Sequence, residues 1–133
     1  MAAKKNTEVP ILTRAESEIM ALFWSRGPMT VSQLKALLSG KAYTSLATLV
    51  KILETKGYLT HAQQADARAY VFSPAVKPDR ARRHHVRDLV ERLFGGRTSE
   101  LVTGLLDDEA LTQDELEALR AEIDERLGKE KRK

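Results

Sequence analysis

The chain has 133 residues, 42% of them hydrophobic and 31% charged, and no cysteine; this is the composition of a folded chain, and it excludes disulfides, thiol catalysis and thiolate metal ligation. No run of about 18 apolar residues is present to span a membrane, and Met1–Glu8 lacks the apolar stretch of a secretory signal, so the expected location is the cytoplasm. The formal net charge of +3 is unevenly divided: residues 1–77 hold 10 Lys+Arg against 5 Asp+Glu, and residues 78–133 hold 12 against 14, a split that suits phosphate attraction in the first part and protein contact in the second.

Residues 1–10 read as a loose arm closed by Pro10, with Ile11 and Leu12 able to dock on the helices beyond them. Thr13 and Glu16 have the spacing of a capping box, and Leu12 stands where a hydrophobic staple would. The helix that starts there carries Ala15, Ile19, Leu22 and Phe23 on one stripe, widened by Met20 and Trp24, and Gly27-Pro28 ends it. Thr30 and Gln33 repeat the capping pattern for a short second helix with Val31, Leu34, Leu37 and Leu38 on its apolar face, stopping near Ser39-Gly40. A third helix is predicted from Tyr43 or Thr44 to Lys56, with Leu46, Leu49, Val50 and Leu53 as its apolar stripe and Gly57 as a residue able to close it.

The other face of the third helix presents Thr44, Ser45, Ala47, Thr48, Lys51 and Thr55, with no acid before Glu54. Short hydroxyls and a lysine let a helix approach a DNA backbone and enter the major groove; a bland polar face is the other reading. Tyr58-Leu59-Thr60 reads as a strand, His61–Ala67 as a polar turn, and Arg68–Phe72 as the returning strand with Tyr70 and Phe72 on one face and Pro74 at its end. Three helices and then a hairpin is the order of a winged helix-turn-helix. Thr44, Ser45, Ala47, Thr48, Lys51, Lys56 and Arg68 are therefore the expected DNA-binding residues, with Arg68 on the wing placed for phosphates or a minor groove.

From Pro78 the pattern is purely helical. Val86, Leu89, Val90, Leu93 and Phe94 precede a break at Gly95-Gly96; Leu101, Val102, Leu105 and Leu106 come next; Thr112 and Glu115 make another capping box ahead of Leu116, Leu119, Ile123 and Leu127. The predicted architecture is mostly α with a small β wing: a winged helix-turn-helix domain over residues 11–77, a three-helix dimerisation domain over 78–127, and a charged tail over 128–133. Val86, Leu89, Val90, Leu93, Leu101, Leu105, Leu116, Leu119 and Ile123 are expected to meet a second copy, which would set two reading helices a fixed distance apart; folding back onto the first domain is the alternative.

Little else in the sequence carries chemistry. His84 and His85 are adjacent and point apart on a helix, and His61 stands alone. There is no HExxH, EF-hand loop or phosphate-binding glycine loop. Asp107, Asp108, Glu109, Asp114 and Glu115 flank a helix end and the next helix start, where acids have an ordinary electrostatic reason to be. No metal, cofactor or enzymatic activity is expected.

The order of elements resembles the penicillinase-repressor family, bacterial winged-helix repressors of beta-lactamase and methicillin-resistance genes. The resemblance runs from Leu12 to Leu127. It is carried by Leu12-Thr-Arg-Ala-Glu16, Ile19-Met20, Leu22-Phe-Trp24, Thr30-Val31, Thr44-Ser-Leu-Ala-Thr-Leu-Val50, Leu53, Lys56-Gly-Tyr-Leu59, Arg68-Ala-Tyr70, Ser73-Pro74, Phe94-Gly-Gly96, Leu101-Val102, Leu111-Thr-Gln-Asp-Glu-Leu116 and Leu119-Arg120. It implies a homodimer that binds palindromic operator DNA and blocks transcription, with a link to antibiotic resistance. It places Thr44, Ser45, Ala47 and Thr48 near operator bases, and Lys51 and Arg68 on the backbone. It also implies a membrane-bound sensor protease as partner, cutting an Asn–Phe bond in the dimerisation domain; the matching pair here is Gly104-Leu105, a departure from that pattern. Ile52 departs too, at a position often held by Arg. A copper-sensing branch uses cysteine pairs that this chain lacks. A repressor is thus the expected function; a winged-helix protein-interaction adaptor without specific DNA binding is the alternative, with Ala47 and Ile52 in its favour.

Overall fold

The computed structural model describes residues 9–63 and 69–132. Eight elements occur there in order: α1 (Arg14–Arg26), α2 (Val31–Leu37), α3 (Tyr43–Thr55), β1 (Leu59–Gln63), β2 (Tyr70–Pro74), α4 (Pro78–Phe94), α5 (Thr98–Asp107) and α6 (Gln113–Arg132). They divide into two compact units, residues 1–86 and 87–133.

The first unit is built on capped helices. Thr13 and Glu16 close a reciprocal capping box at the start of α1, and Thr30 and Gln33 do the same for α2. Each box satisfies two backbone donors that a helix start leaves without partners, and loss of such a cap typically costs about 1 kcal/mol. Ile19, Met20 and Phe23 of α1, Leu34 of α2 and Leu46, Val50 and Leu53 of α3 make the core with Tyr58, Leu59 and Phe72. Leu22, Trp24, Val31, Leu38 and Leu49 pack half-buried around it; Leu37 is turned outward.

β1 and β2 are antiparallel, with His61 opposite Phe72 and Gln63 opposite Tyr70. The hairpin has a third contact. Met29, between α1 and α2, exchanges two backbone hydrogen bonds with Phe72, at 2.9 and 2.8 Å. An isolated two-stranded hairpin is marginal in water; this bridge joins it to the helical core. β1 also continues through His61, Ala62 and Gln63, residues whose polarity predicts a turn. Pairing with β2 supplies their backbone partners and overrides side-chain preference.

Two segments expected to lie outside the winged-helix domain are built into this unit. Val9, in the predicted arm, is buried, and the Pro10 carbonyl accepts a 2.6 Å hydrogen bond from the Tyr58 hydroxyl. Burial of Tyr58, helped by the Glu16 charge and opposed by Arg80, pushes its hydroxyl up to about 12. The start of α4 is the other. Ala81 is in the core, Trp24 Nε1 donates to the Val76 carbonyl at 2.7 Å, and His85 is held at both nitrogens. His85 Nε2 accepts from the Leu12 amide at 2.8 Å, which leaves Nδ1 to donate to the Ala81 carbonyl at 2.7 Å. The first turns of α4 thus belong with the winged helix, and the units divide within the helix at Val86/Arg87.

In the second unit, Gly95 and Gly96 take positive φ values after α4, a conformation glycine adopts without the Cβ penalty. The Gly96 amide returns to the Val90 carbonyl, a helix-closing bond. Thr112 and Glu115 form the predicted capping box. α6 does not stop at Leu127. It passes through Gly128 to Arg132, because the surrounding lysines, glutamates and arginine are good helix formers that outweigh one glycine.

Glu16 has a second role beyond the cap. Its side chain is almost fully buried, and Oε1 accepts from the Lys56 ammonium at 2.7 Å as well as from the Thr13 amide. Burial pushes its carboxyl up, but the Lys56 and Thr13 hydrogen bonds and the Lys56 charge outweigh it and hold the group below the ordinary 4.5. The folded state therefore binds fewer protons here than the unfolded chain. Its stabilisation is full above the ordinary glutamate value and drains away as pH falls through the lowered one. Lys56→Met is expected to cost about 3 kcal/mol in urea unfolding near neutral pH, since it strands a buried carboxylate. Glu16→Gln should remove the acid-side loss in a stability-versus-pH series; an unchanged loss would place its origin elsewhere. Tyr58→Phe should cost about 1 kcal/mol, measured the same way, by leaving the Pro10 carbonyl unpaired.

Candidate nucleic-acid interface

α3 is held from one side. Leu46, Val50 and Leu53 are buried and Leu49 half-buried, so the helix cannot turn without exposing them. Its remaining surface presents Thr44, Ser45, Thr48, Lys51 and Thr55, all exposed, and Ala47, half-buried. These residues share one face, as their spacing predicts. The Thr48 hydroxyl donates to the Thr44 carbonyl at 2.9 Å, one turn back. Its proton is thereby used, and the oxygen faces outward as an acceptor beside the threonine methyl.

Ala42 precedes α3 and gives no side-chain cap, unlike Thr13 and Thr30. The first-turn amides of α3 are left for solvent or another partner, and the positive end of the helix dipole points the same way. No acid occurs in that turn. Short side chains, outward amides and one lysine make a surface with which a polyanion can come into close contact.

One expected DNA-binding residue is engaged within the fold. Lys56 is tied to Glu16 and, at 3.1 Å, to the Ile11 carbonyl. Its ammonium anchors the end of α3 to α1 and the preceding segment, so the structure does not bring it to the Thr44–Lys51 face. Arg68 lies outside the described residues. Ile52 is 38% exposed and sits beside this face.

The wing contributes a feature that sequence reasoning misses. His61, a turn residue by its polarity, is in β1. It bonds Glu54 of α3 and lies against the rings of Tyr70 and Phe72. The alternation of His61 with Leu59, in a strand that pairs with the one carrying Tyr70 and Phe72, is the signal that could have found it. Among the described residues, no group of three or more His, Asp or Glu is placed to hold a metal ion, and no helix is long and apolar enough to cross a membrane.

The expected partner-facing residues of the second unit are largely uncovered in the single chain. Leu93, Leu105, Leu116, Leu119 and Ile123 are exposed, as are Val102, Leu106 and Leu127. Leu89 and Leu101 are half-buried, and Val90 is buried. Val86, the last residue of the first unit, is exposed as well.

No curated protein matches the chain. Among solved structures, the transcriptional regulator Tm0710 from Thermotoga maritima is 26% identical, with 90% of this chain and 77% of that one covered and a TM-score of 0.48. A mutant MarR from E. coli, complexed with operator DNA, is 18% identical over 87% of this chain and 76% of that one, with a TM-score of 0.50; the likeness is one of fold. The family described as penicillinase repressor matches residues 12–125. The chain belongs to the penicillinase repressor family, and its fold is that of a winged-helix transcription regulator.

Proposed function

We propose that the protein is a homodimeric, sequence-specific transcriptional repressor. In this reading α3 enters the major groove of a half-site in palindromic operator DNA, and the wing meets the adjacent backbone. Two copies pair through α4, α5 and α6. The observation that carries it is the exposed, acid-free start of α3, with Leu46, Val50 and Leu53 buried on the opposite side of the helix. Thr44, Ser45, Ala47 and Thr48 are the base-facing residues; Lys51 and Arg68 are the backbone contacts.

The apolar rows of the second unit support the pairing. Leu116, Leu119, Ile123 and Leu127 recur along one side of α6 and are all exposed in a single chain. Each such side chain gains roughly 1.5–3 kcal/mol when fully buried, and a two-fold interface would bury the same row twice. Release by a membrane-bound sensor protease belongs to the same reading. Gly104 and Leu105, the candidate bond, are exposed on α5. A protease needs extended backbone, so this bond becomes a substrate only when α5 opens locally.

DNase footprinting on the gene's own upstream region should protect two half-sites related by a dyad. In mobility-shift titrations, Lys51→Ala should weaken binding about tenfold on every sequence and lower the salt slope by about 1 per protomer. Thr48→Arg should instead change which sequence is preferred. Binding that is indifferent to both variants and to sequence would favour the adaptor reading.

Leu119→Asp should convert a dimeric solution mass to a monomeric one while far-UV circular dichroism stays helical. A dimer of unchanged mass would place the interface on another surface.

A further inference from the structure

One imidazole joins α3 to the hairpin. His61, on β1, engages a carboxylate oxygen of Glu54 on α3 through Nδ1. Its ring centroid lies 4.4 Å from that of Tyr70 and 5.5 Å from that of Phe72, both on β2. Among the described residues, Glu54 and Tyr70 are the titratable groups set against this ring. Tyr70 is about half exposed, so the cluster is reached by solvent.

Protonation changes the nature of these contacts. The imidazolium makes a charge-assisted hydrogen bond to a carboxylate and is attracted to aromatic faces within about 6 Å. The neutral ring still donates to the carboxylate, but it brings no charge to cancel that of Glu54 and no cation for the rings. Histidine is the side chain whose ordinary titration falls between about pH 5 and 8.

Glu54 gives the change a consequence. It is the single acid of α3 and comes three residues after Lys51, so the two are neighbours on the helix. An uncompensated carboxylate there offsets the pull of Lys51 on a phosphate. A charged His61 cancels it. DNA brings negative potential to the same region, so proton uptake and DNA binding reinforce each other reciprocally.

We propose that His61 is a positioning residue for DNA binding: its protonated form neutralises Glu54 and fixes the hairpin against the reading helix, so that the protein takes up a proton at this residue when it binds DNA. This rests on the reading of α3 as the DNA-contacting helix. Binding then tightens as pH falls through the histidine range and weakens as pH rises through it.

The test uses the full chain and a labelled duplex from the gene's own upstream region, titrated at about pH 6, 7 and 8 at one salt concentration. Wild type should bind about tenfold more weakly, or weaker still, at the alkaline end, since each protomer of the dimer contributes one His61 and a proton fully taken up is worth about tenfold per pH unit. His61→Gln should bind with little dependence on pH. Glu54→Gln should lose the dependence too, and hold at the alkaline end the affinity wild type shows at the acid end. His84→Gln, which changes a histidine outside the cluster, should keep the wild-type slope. A wild-type slope in His61→Gln, or a flat wild type that still prefers a sequence, overturns the proton linkage and leaves the repressor reading standing. Absence of any sequence preference at every pH overturns both.

Discussion

A carboxylate taken out of water costs several kcal/mol unless donors surround it, and the first unit is organised around one that is. Glu16 is 3% exposed. The Thr13 amide and the Lys56 ammonium supply its donors, and Lys56 also reaches the Ile11 carbonyl. Three stretches of the chain therefore converge on one ion pair: the segment before α1, the first turn of α1, and the residue just after α3. Because Lys56 sits at the C-terminal end of α3, the pair fixes where the helix ends while Leu46, Val50 and Leu53 fix which way it faces. The exposed face inherits its orientation from both.

That arrangement divides labour among cations. Lys56 is occupied within the fold; Lys51, about one and a half helical turns earlier, is exposed. A helix with one exposed lysine and several small hydroxyl residues has weak electrostatic attraction of its own. Such a surface favours close shape fit over charge, and its Thr48 oxygen, with the hydroxyl proton already given to Thr44, is suited to accepting from a partner rather than donating to it.

The elements are legible in the sequence because their signals are local. Capping boxes at Thr13, Thr30 and Thr112 and apolar spacing in the helices depend on residues three or four apart. The outward face of α3 is legible for the same reason. What escapes is non-local. The capping role of Glu16 already accounts for an acid at that position, so nothing nearby announces its pairing with a lysine 40 residues on. Met29 is a single bridging residue with no strand pattern. His61 resembles turn chemistry because its polarity is a louder signal than its alternation with Leu59, and Val9 follows a polar run and is cut off by Pro10 from the apolar Ile11 and Leu12. The end of α6 is misread at Leu127 because one glycine draws more weight than the helix formers around it.

The bridge between Met29 and Phe72 makes the wing a cantilever rather than a free flap. Tyr70 is two residues from Phe72, a reach of about 7 Å along a strand. A load applied at Tyr70 meets a clamped support at Phe72, whose backbone is paired with the strand of His61 on one side and bonded to Met29 on the other. Torque is then delivered to the α1–α2 connection instead of being dissipated in the hairpin. The same clamp should make the Phe72 amide among the slower to exchange with solvent in the wing, since opening it means separating the hairpin from the helices rather than fraying an edge.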